Sequence, residues 1–227
     1  MKKFAVILIV TASIIMALGV LGCRERSVGW AGIEPTATFT FTSLPSPSAT
    51  PTPKTVLTPM IDDFADCDGN NNFGGPWFSY GASGNTVNGS TQATGYGNVD
   101  CGYHMTGSTA ISCGYGAWVS TSLLSGAVAS LNNFTGGIRF YAKTSATGTS
   151  YRFVIISNAT TNNYQYTFSP GSDWALVSVP FSSFTQAAAD YGIVTIQESL
   201  GAVTNLAFAN SACNQTLDLW VDNIELY

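Results

Sequence analysis

Charge is scarce in this 227-residue chain, where Asp, Glu, Lys and Arg together make up 9%. The shortage is steepest among cations. From residue 60 to the end only Arg139, Lys143 and Arg152 are basic, against eleven carboxylates, so this part carries three minus eleven, or −8. Nucleic-acid affinity rests on Lys and Arg contacts to phosphate, so that class of partner is excluded. Histidine occurs once, as His104. That excludes multi-histidine metal centres and leaves any serine triad dependent on a single imidazole. There is no Gly-x-Ser-x-Gly elbow, no phosphate-binding loop and no Cys-x-x-Cys pair, so no catalytic residue is assigned. Two carboxylates would suffice for a glycosidase, but the acids gather at the start and end of residues 60–227 rather than at several strand tips. Helical periodicity is nearly missing, and no repeat of about 20 to 50 residues is visible, which argues against propellers and solenoids.

What is present begins with an address. Lys2 and Lys3 precede a largely apolar run from Phe4 to Leu18, which ends in Val20-Leu21-Gly22-Cys23. A basic start, an apolar middle and small residues before a cut site describe a secretory signal. The Cys after Leu-Gly resembles a bacterial lipoprotein signal. That resemblance implies removal of residues 1–22, lipidation of Cys23 and a membrane anchor outside the cytoplasm. Arg24, rather than Asp, follows the Cys, which by the same resemblance implies the outer membrane or cell surface. Residues 23–59 form the lipidated Cys and a linker holding Pro35, Pro45, Pro47, Pro51, Pro53 and Pro59 among Thr and Ser. Such chain extends as polyproline II at ~3.1 Å per residue and buries no core.

Residues 60–227 suffice for one ordinary domain. They read as short strands rich in Val, Ile, Phe, Tyr and Thr between Gly, Asn and Ser clusters, over 60–64, 76–80, 100–106, 110–120, 136–143, 150–157, 163–168, 174–180, 202–209 and 216–227. A helical turn fits 185–192. Regular strands without intervening helices predict an all-β sandwich or jelly roll. Alternation puts Ile138, Phe140 and Ala142 inward and Arg139, Tyr141 and Lys143 outward. In the last strand Leu217, Leu219 and Val221 share one parity while Ile224 and Leu226 share the other, which predicts a bulge near Asp222-Asn223. Cys67, Cys101, Cys113 and Cys213 suit an oxidising compartment and allow three connectivities. Cys101 and Cys113 are equidistant from Gly107, so a hairpin at Thr106-Gly107-Ser108 favours Cys101–Cys113 and leaves Cys67 with Cys213.

Four segments carry a family resemblance. Ile61-Asp62-Asp63-Phe64 with Pro76-Trp77-Phe78, Gly136 to Lys143, Asp173-Trp174 leading to Val179-Pro180-Phe181, and Leu219-Trp220-Val221-Asp222-Asn223-Ile224 follow in order. Together they resemble galactose-binding-like β-sandwich modules, specifically carbohydrate-binding module family 11 and the complex I intermediate-associated domains. The resemblance spans residues 60–227. It implies a jelly roll of two antiparallel sheets, a structural calcium and sugar bound along a concave face. Ala65 stands where the family's opening motif has an acid.

Calcium takes six to eight oxygens, and Asp62, Asp66, Asp68 and Asn70 supply carboxylates and an amide within nine residues. In the resembling fold the first and last strands meet, so Asp222 would complete the shell; the alternative is a solvated acidic turn. For a sugar, aromatic rings pack on pyranose faces while Arg and polar groups bridge hydroxyls. Tyr103, Arg139, Tyr141, Arg152 and Tyr164 are the expected ligand-binding residues, and Trp77, Trp118 and Trp174 are assigned to the core or its rim. The sequence therefore predicts a surface lipoprotein carrying a non-catalytic module for a neutral, β-glucan-like polysaccharide. A structural or protein-interaction lipoprotein of the envelope is the alternative, which a broad aliphatic patch would favour.

Overall fold

A computed structural model describes residues 57–109, 116–159, 163–187 and 194–227. The signal segment, Cys23, the linker up to residue 56 and Cys113 lie outside these. Twelve strands are described: β1 (Met60–Asp62), β2 (Trp77–Gly81), β3 (Asn85–Ala93), β4 (Cys101–Thr109), β5 (Ala117–Ser122), β6 (Gly137–Thr144), β7 (Tyr151–Ser157), β8 (Tyr164–Phe168), β9 (Ala175–Pro180), β10 (Thr185–Gln186), β11 (Val203–Asn210) and β12 (Gln215–Leu226). They form two antiparallel sheets. The first runs β3-β4-β12-β6-β9, with β1 on the far part of β12; the second runs β10-β8-β7-β11-β5-β2.

Period-two alternation builds the core between the sheets. From β6, Ile138, Phe140 and Ala142 are fully buried; from β7, Phe153 and Ile155; from β11, Leu206 and Phe208. Phe140 of the first sheet meets Phe153 of the second with ring centres 5.4 Å apart, and Phe208 stands edge-on to both at 5.1 Å. Burying each such ring stabilises the fold by roughly 1.5–3 kcal/mol. The parity break in β12 is resolved as the sequence predicts. The pairing with β6 shifts between Asp222 and Glu225, Asn223 takes a φ of 47°, and Leu217, Leu219, Val221, Ile224 and Leu226 all face the core.

Two expectations are overturned. Thr106-Gly107-Ser108 is not a turn: it lies inside β4, which pairs with β3 on one side and β12 on the other. Gly107, at φ 145°, is needed because a Cβ there would strike the Thr86 carbonyl. Without that hairpin the expected cystine pairing fails. Cys67, in the loop after β1, is bonded instead to Cys101 at the start of β4. Cys213 is also disulfide-bonded, so the proposed Cys67–Cys213 and Cys101–Cys113 links are both excluded.

The strand that the sequence hides is β3. Asn85-Thr-Val-Asn-Gly-Ser-Thr-Gln-Ala has almost no apolar alternation because it is an edge strand, where polar side chains discourage further pairing. Its Gly89 lies against the core, since a Cβ there would sit 2.5 Å from the Tyr103 hydroxyl and 2.7 Å from Val119. The helical turn expected at 185–192 is strand at Thr185–Gln186, and 188–193 lie outside the described residues. A short helix, α1 (Ile196–Leu200), follows instead. Thr195 caps it: its hydroxyl accepts from the Glu198 amide while the Glu198 carboxylate accepts from the Thr195 amide at 2.8 Å.

Candidate functional site

The outer face of the first sheet collects a cluster of stacked rings. Register fixes the arrangement: His104 of β4 lies opposite Trp220 of β12, and Trp220 opposite Lys143 of β6. The imidazole stacks on the indole of Trp220 at 3.9 Å and 15°. Lys143 places its ammonium 5.0 Å from the Trp220 ring and 4.7 Å from the ring of Trp174, which immediately precedes β9. One row therefore reads imidazole, indole, ammonium, indole across the sheet. Trp174 reaches back over β4, close enough that a Cβ on Gly102 would meet it at 3.6 Å. Its indole Nε1 is buried with no hydrogen-bond partner among the described residues.

A second row lies beside the first. Tyr141 of β6 stacks on Tyr96, from the short 3-10 turn Tyr96–Asn98, at 3.6 Å and 15°, and Tyr96 stands edge-on to Trp174. The Tyr96 side chain hydrogen-bonds Tyr141 and raises its phenol above the ordinary range. Beyond it Arg139 donates through Nε to Glu225 at 2.5 Å and lies 5.7 Å from the Tyr227 ring.

Carboxylates brace these rings. His104 Nε2 and Asp218 Oδ1 are 2.5 Å apart, and Asp218 Oδ2 accepts from the Ser145 amide at 3.0 Å and from the Ser145 hydroxyl. Burial alone would raise the Asp218 carboxyl, but the bonds from Ser145 and His104 hold it below its ordinary value. This trio is no nucleophile–base pair, since the serine bonds the carboxylate and not the imidazole. Asp222, at the bulge, accepts from the Tyr96 amide at 2.6 Å and from the Asn223 amide at 2.7 Å. A cleft of about 700 Å³ adjoins the Ser145–Asp218 end, and a notch of about 290 Å³ lies at the Tyr96–Asp222 end.

No family model and no curated protein matches the chain. Solved structures do. A family 11 carbohydrate-binding module from Clostridium thermocellum, solved with a β-1,3-1,4-mixed-linked tetrasaccharide, aligns with a TM-score of 0.53 and 21% identity over 74% of this chain and 94% of its own. The family 11 module of a cellulosomal cellulase of that organism aligns at 0.53 and 19%, over 76% and 95%. An exo-β-agarase aligns at 0.51 and 10%, over 75% of this chain but 25% of the agarase. The fold is a jelly roll of two antiparallel sheets, similar to that of the family 11 carbohydrate-binding modules.

Within the jelly roll the expected ligand residues part company. Arg139 and Tyr141 share the outer face of the first sheet. Arg152 also points away from the core, but β7 belongs to the second sheet, so it stands on the opposite side of the molecule. There its Nε donates to the Asn210 carbonyl at 2.9 Å. Tyr103 is one residue out of phase: it is buried against Phe64 and Trp77, and burial pushes its phenol up to about 12. Tyr164 is buried too, its hydroxyl donating to the Val194 carbonyl. The core-or-rim assignment holds for Trp77, whereas Trp118 lies on the outer side of the second sheet and Trp174 in the ring cluster. Tyr96, His104, Lys143 and Trp220 are not among the ligand residues the sequence predicts. Parity marks three of them, since each alternates with buried neighbours; Tyr96 sits in a loop and carries no such signal.

The calcium set does not assemble either. Asp62 is 1% exposed, and each of its oxygens accepts a hydrogen bond, Oδ2 from the Trp77 indole N–H at 2.6 Å and Oδ1 from the Phe64 amide at 2.8 Å. Burial outweighs those bonds and raises its carboxyl to about 7. Asp66, Asp68 and Asn70 are exposed and form successive turns, in which Asp66 accepts from the Asp68 amide and Asp68 from the Asn70 amide. Asp222 is committed to Tyr96 and Asn223, and burial raises its carboxyl, helped by the nearby Asp63 and Asp100. Among the described residues no three Asp, Glu, His or Cys side chains group closely enough to hold a metal. These five residues do not fit a calcium shell.

Proposed function

We propose that this protein is a surface-anchored lipoprotein whose folded part is a non-catalytic module for a β-glucan-like polysaccharide, bound on the outer face of the first sheet. The observation that carries the reading is the double row His104–Trp220–Lys143–Trp174 beside Tyr141–Tyr96, rings and one ammonium gathered over the outer face of the first sheet. Apolar ring surface interspersed with carboxylate, hydroxyl and ammonium groups matches the alternating C–H and hydroxyl character of a sugar chain. The mixed-linked tetrasaccharide named with the Clostridium thermocellum module supports a β-glucan backbone. Leu21-Gly22-Cys23 supports the anchor and the linker the reach beyond the membrane.

Affinity electrophoresis in soluble β-glucans tests the face. Trp220→Ala and Tyr141→Ala should each weaken retardation by about 1–3 kcal/mol of binding free energy, whereas Arg152→Ala, on the second sheet, should leave it as in the wild type. Loss of retardation in Arg152→Ala, with Trp220→Ala unaffected, would move the site to the other sheet. A wild type that runs unretarded through glucans, xylans and mannans would favour the envelope-interaction alternative.

A further inference from the structure

Lys143 stands in the middle of the ring row without a counter-charge. Its ammonium lies between Trp174 and Trp220, and no ion pair among the described residues includes it. The acids that flank it are engaged. Asp218 and Asp222, two residues either side of its register partner Trp220, hold His104 with Ser145 and the Tyr96 with Asn223 amides respectively. Glu225 holds Arg139. Arg152 stands on the other sheet, so among the described residues Lys143 is the cation of this face without a carboxylate partner.

An indole face attracts an ammonium but does not neutralise it, and the half-buried position between two rings costs the group part of its hydration. An ammonium offers three donors, and they bond an ionised oxygen more strongly than a neutral one. We propose that Lys143 sets specificity for an anionic polysaccharide, in which a carboxylate or sulfate on the sugar rests on the Lys143 ammonium while the sugar ring packs against Trp174 and Trp220. The inference rests on the carbohydrate-binding reading above and replaces its uncharged ligand by a charged one. Charges more than about 8 Å away are largely screened at physiological ionic strength, so the contact is decided by the Lys143 ammonium against its near neighbours Asp218 and Asp222.

Titration calorimetry with three matched oligosaccharides decides it: a neutral β-linked gluco-oligosaccharide, its C6-oxidised uronate and its 6-O-sulfate. One of the two anionic forms should bind about tenfold tighter than the neutral parent, as expected for one strong charge-assisted contact. Which form gains tells carboxylate from sulfate. Lys143→Met keeps the apolar stem between the indoles and should bring the anionic-to-neutral ratio to about one, while Lys143→Arg should retain it. Melting curves confirm that each variant is folded. Equal affinity for all three sugars in the wild type, or a preference that survives in Lys143→Met, overturns the inference and leaves the carbohydrate reading standing. If the wild type binds none of the three, both fall.

Discussion

Asp62 should make this domain lose stability as pH rises through the range where most proteins are at their best. Its carboxyl is raised from the ordinary 3.8 to about 7 in the folded state, because the space between the sheets desolvates the charge more than the Trp77 and Phe64 donors repay it. The folded state thus holds this proton more tightly than the unfolded chain. Its contribution is fully present below pH 3.8, falls as pH rises between that value and about 7, and is gone above. At 1.36 kcal/mol per pKa unit the interval is worth about 4 kcal/mol, an upper bound given relaxation around the group. Asp222, also raised by burial, acts in the same direction, and Asp218, held low by Ser145 and His104, acts in the opposite one. Comparison with Asp62→Asn isolates the effect. The amide cannot ionise, and its NH2 group must face one of the two donors, which costs about 1–3 kcal/mol at every pH. Urea denaturation of both proteins from pH 4 to 8 should show wild type the more stable at pH 4, with its advantage shrinking by a few kcal/mol towards pH 8. A gap that stays constant, or widens with pH, would mean that Asp62 is ionised throughout and that its two hydrogen bonds outweigh burial.

The cystine assignment is open to direct mapping: non-reducing peptide analysis should recover Cys67 linked to Cys101, and removing that link should cost about 4 kcal/mol on the chain-entropy model for a separation of 34 residues. Gly89→Ala should destabilise the fold by about 1–3 kcal/mol, read from its denaturation midpoint, because the new methyl meets the Tyr103 ring and Val119. Chelator should leave the melting curve unchanged, since among the described residues no three Asp, Glu, His or Cys side chains group closely enough to hold a metal; a drop in Tm that Asp66→Ala abolishes would restore the acidic run as a cation site. Cys23→Ala should abolish fatty-acid labelling, and undiminished labelling would remove the anchor from the reading.

The fold was legible where burial writes itself into the sequence with period two. β6 and β12 show it: the inward and outward sets of Ile138–Lys143 and the bulge at Asp222-Asn223 are as alternation requires. It was illegible where a strand has little to bury. Edge strand β3 keeps one sheet partner and a polar sequence, so no pattern announces it, and its omission left β4 without its true neighbour. That single gap produced the false hairpin at Gly107, and the false hairpin produced the false cystines. A glycine flanked by Thr and Ser reads as a turn when seen alone; only the passing Thr86 carbonyl explains it as a close strand approach.

The site was half-legible for a different reason. Alternation tells which side of a strand a residue faces, but not which sheet the strand joins. Arg139 and Arg152 are both outward, and consecutive strands β6 and β7 invite the inference that they are neighbours; the jelly roll instead sends β7 to the other sheet, and the two guanidinium groups to opposite sides. Neighbours across the first sheet come from distant parts of the chain, His104 from β4, Trp220 from β12 and Lys143 from β6, and no local pattern joins them. Once the order β4-β12-β6 is known, parity alone assembles the row, because Tyr103, Met105, Leu219, Val221, Ala142 and Thr144 are all buried and leave His104, Trp220 and Lys143 facing out together. The aromatic face is therefore a consequence of topology acting on simple alternation. Its one exposed member from a loop, Tyr96, is held by Asp222, the residue at the bulge that lets β12 keep both halves of its apolar set in the core.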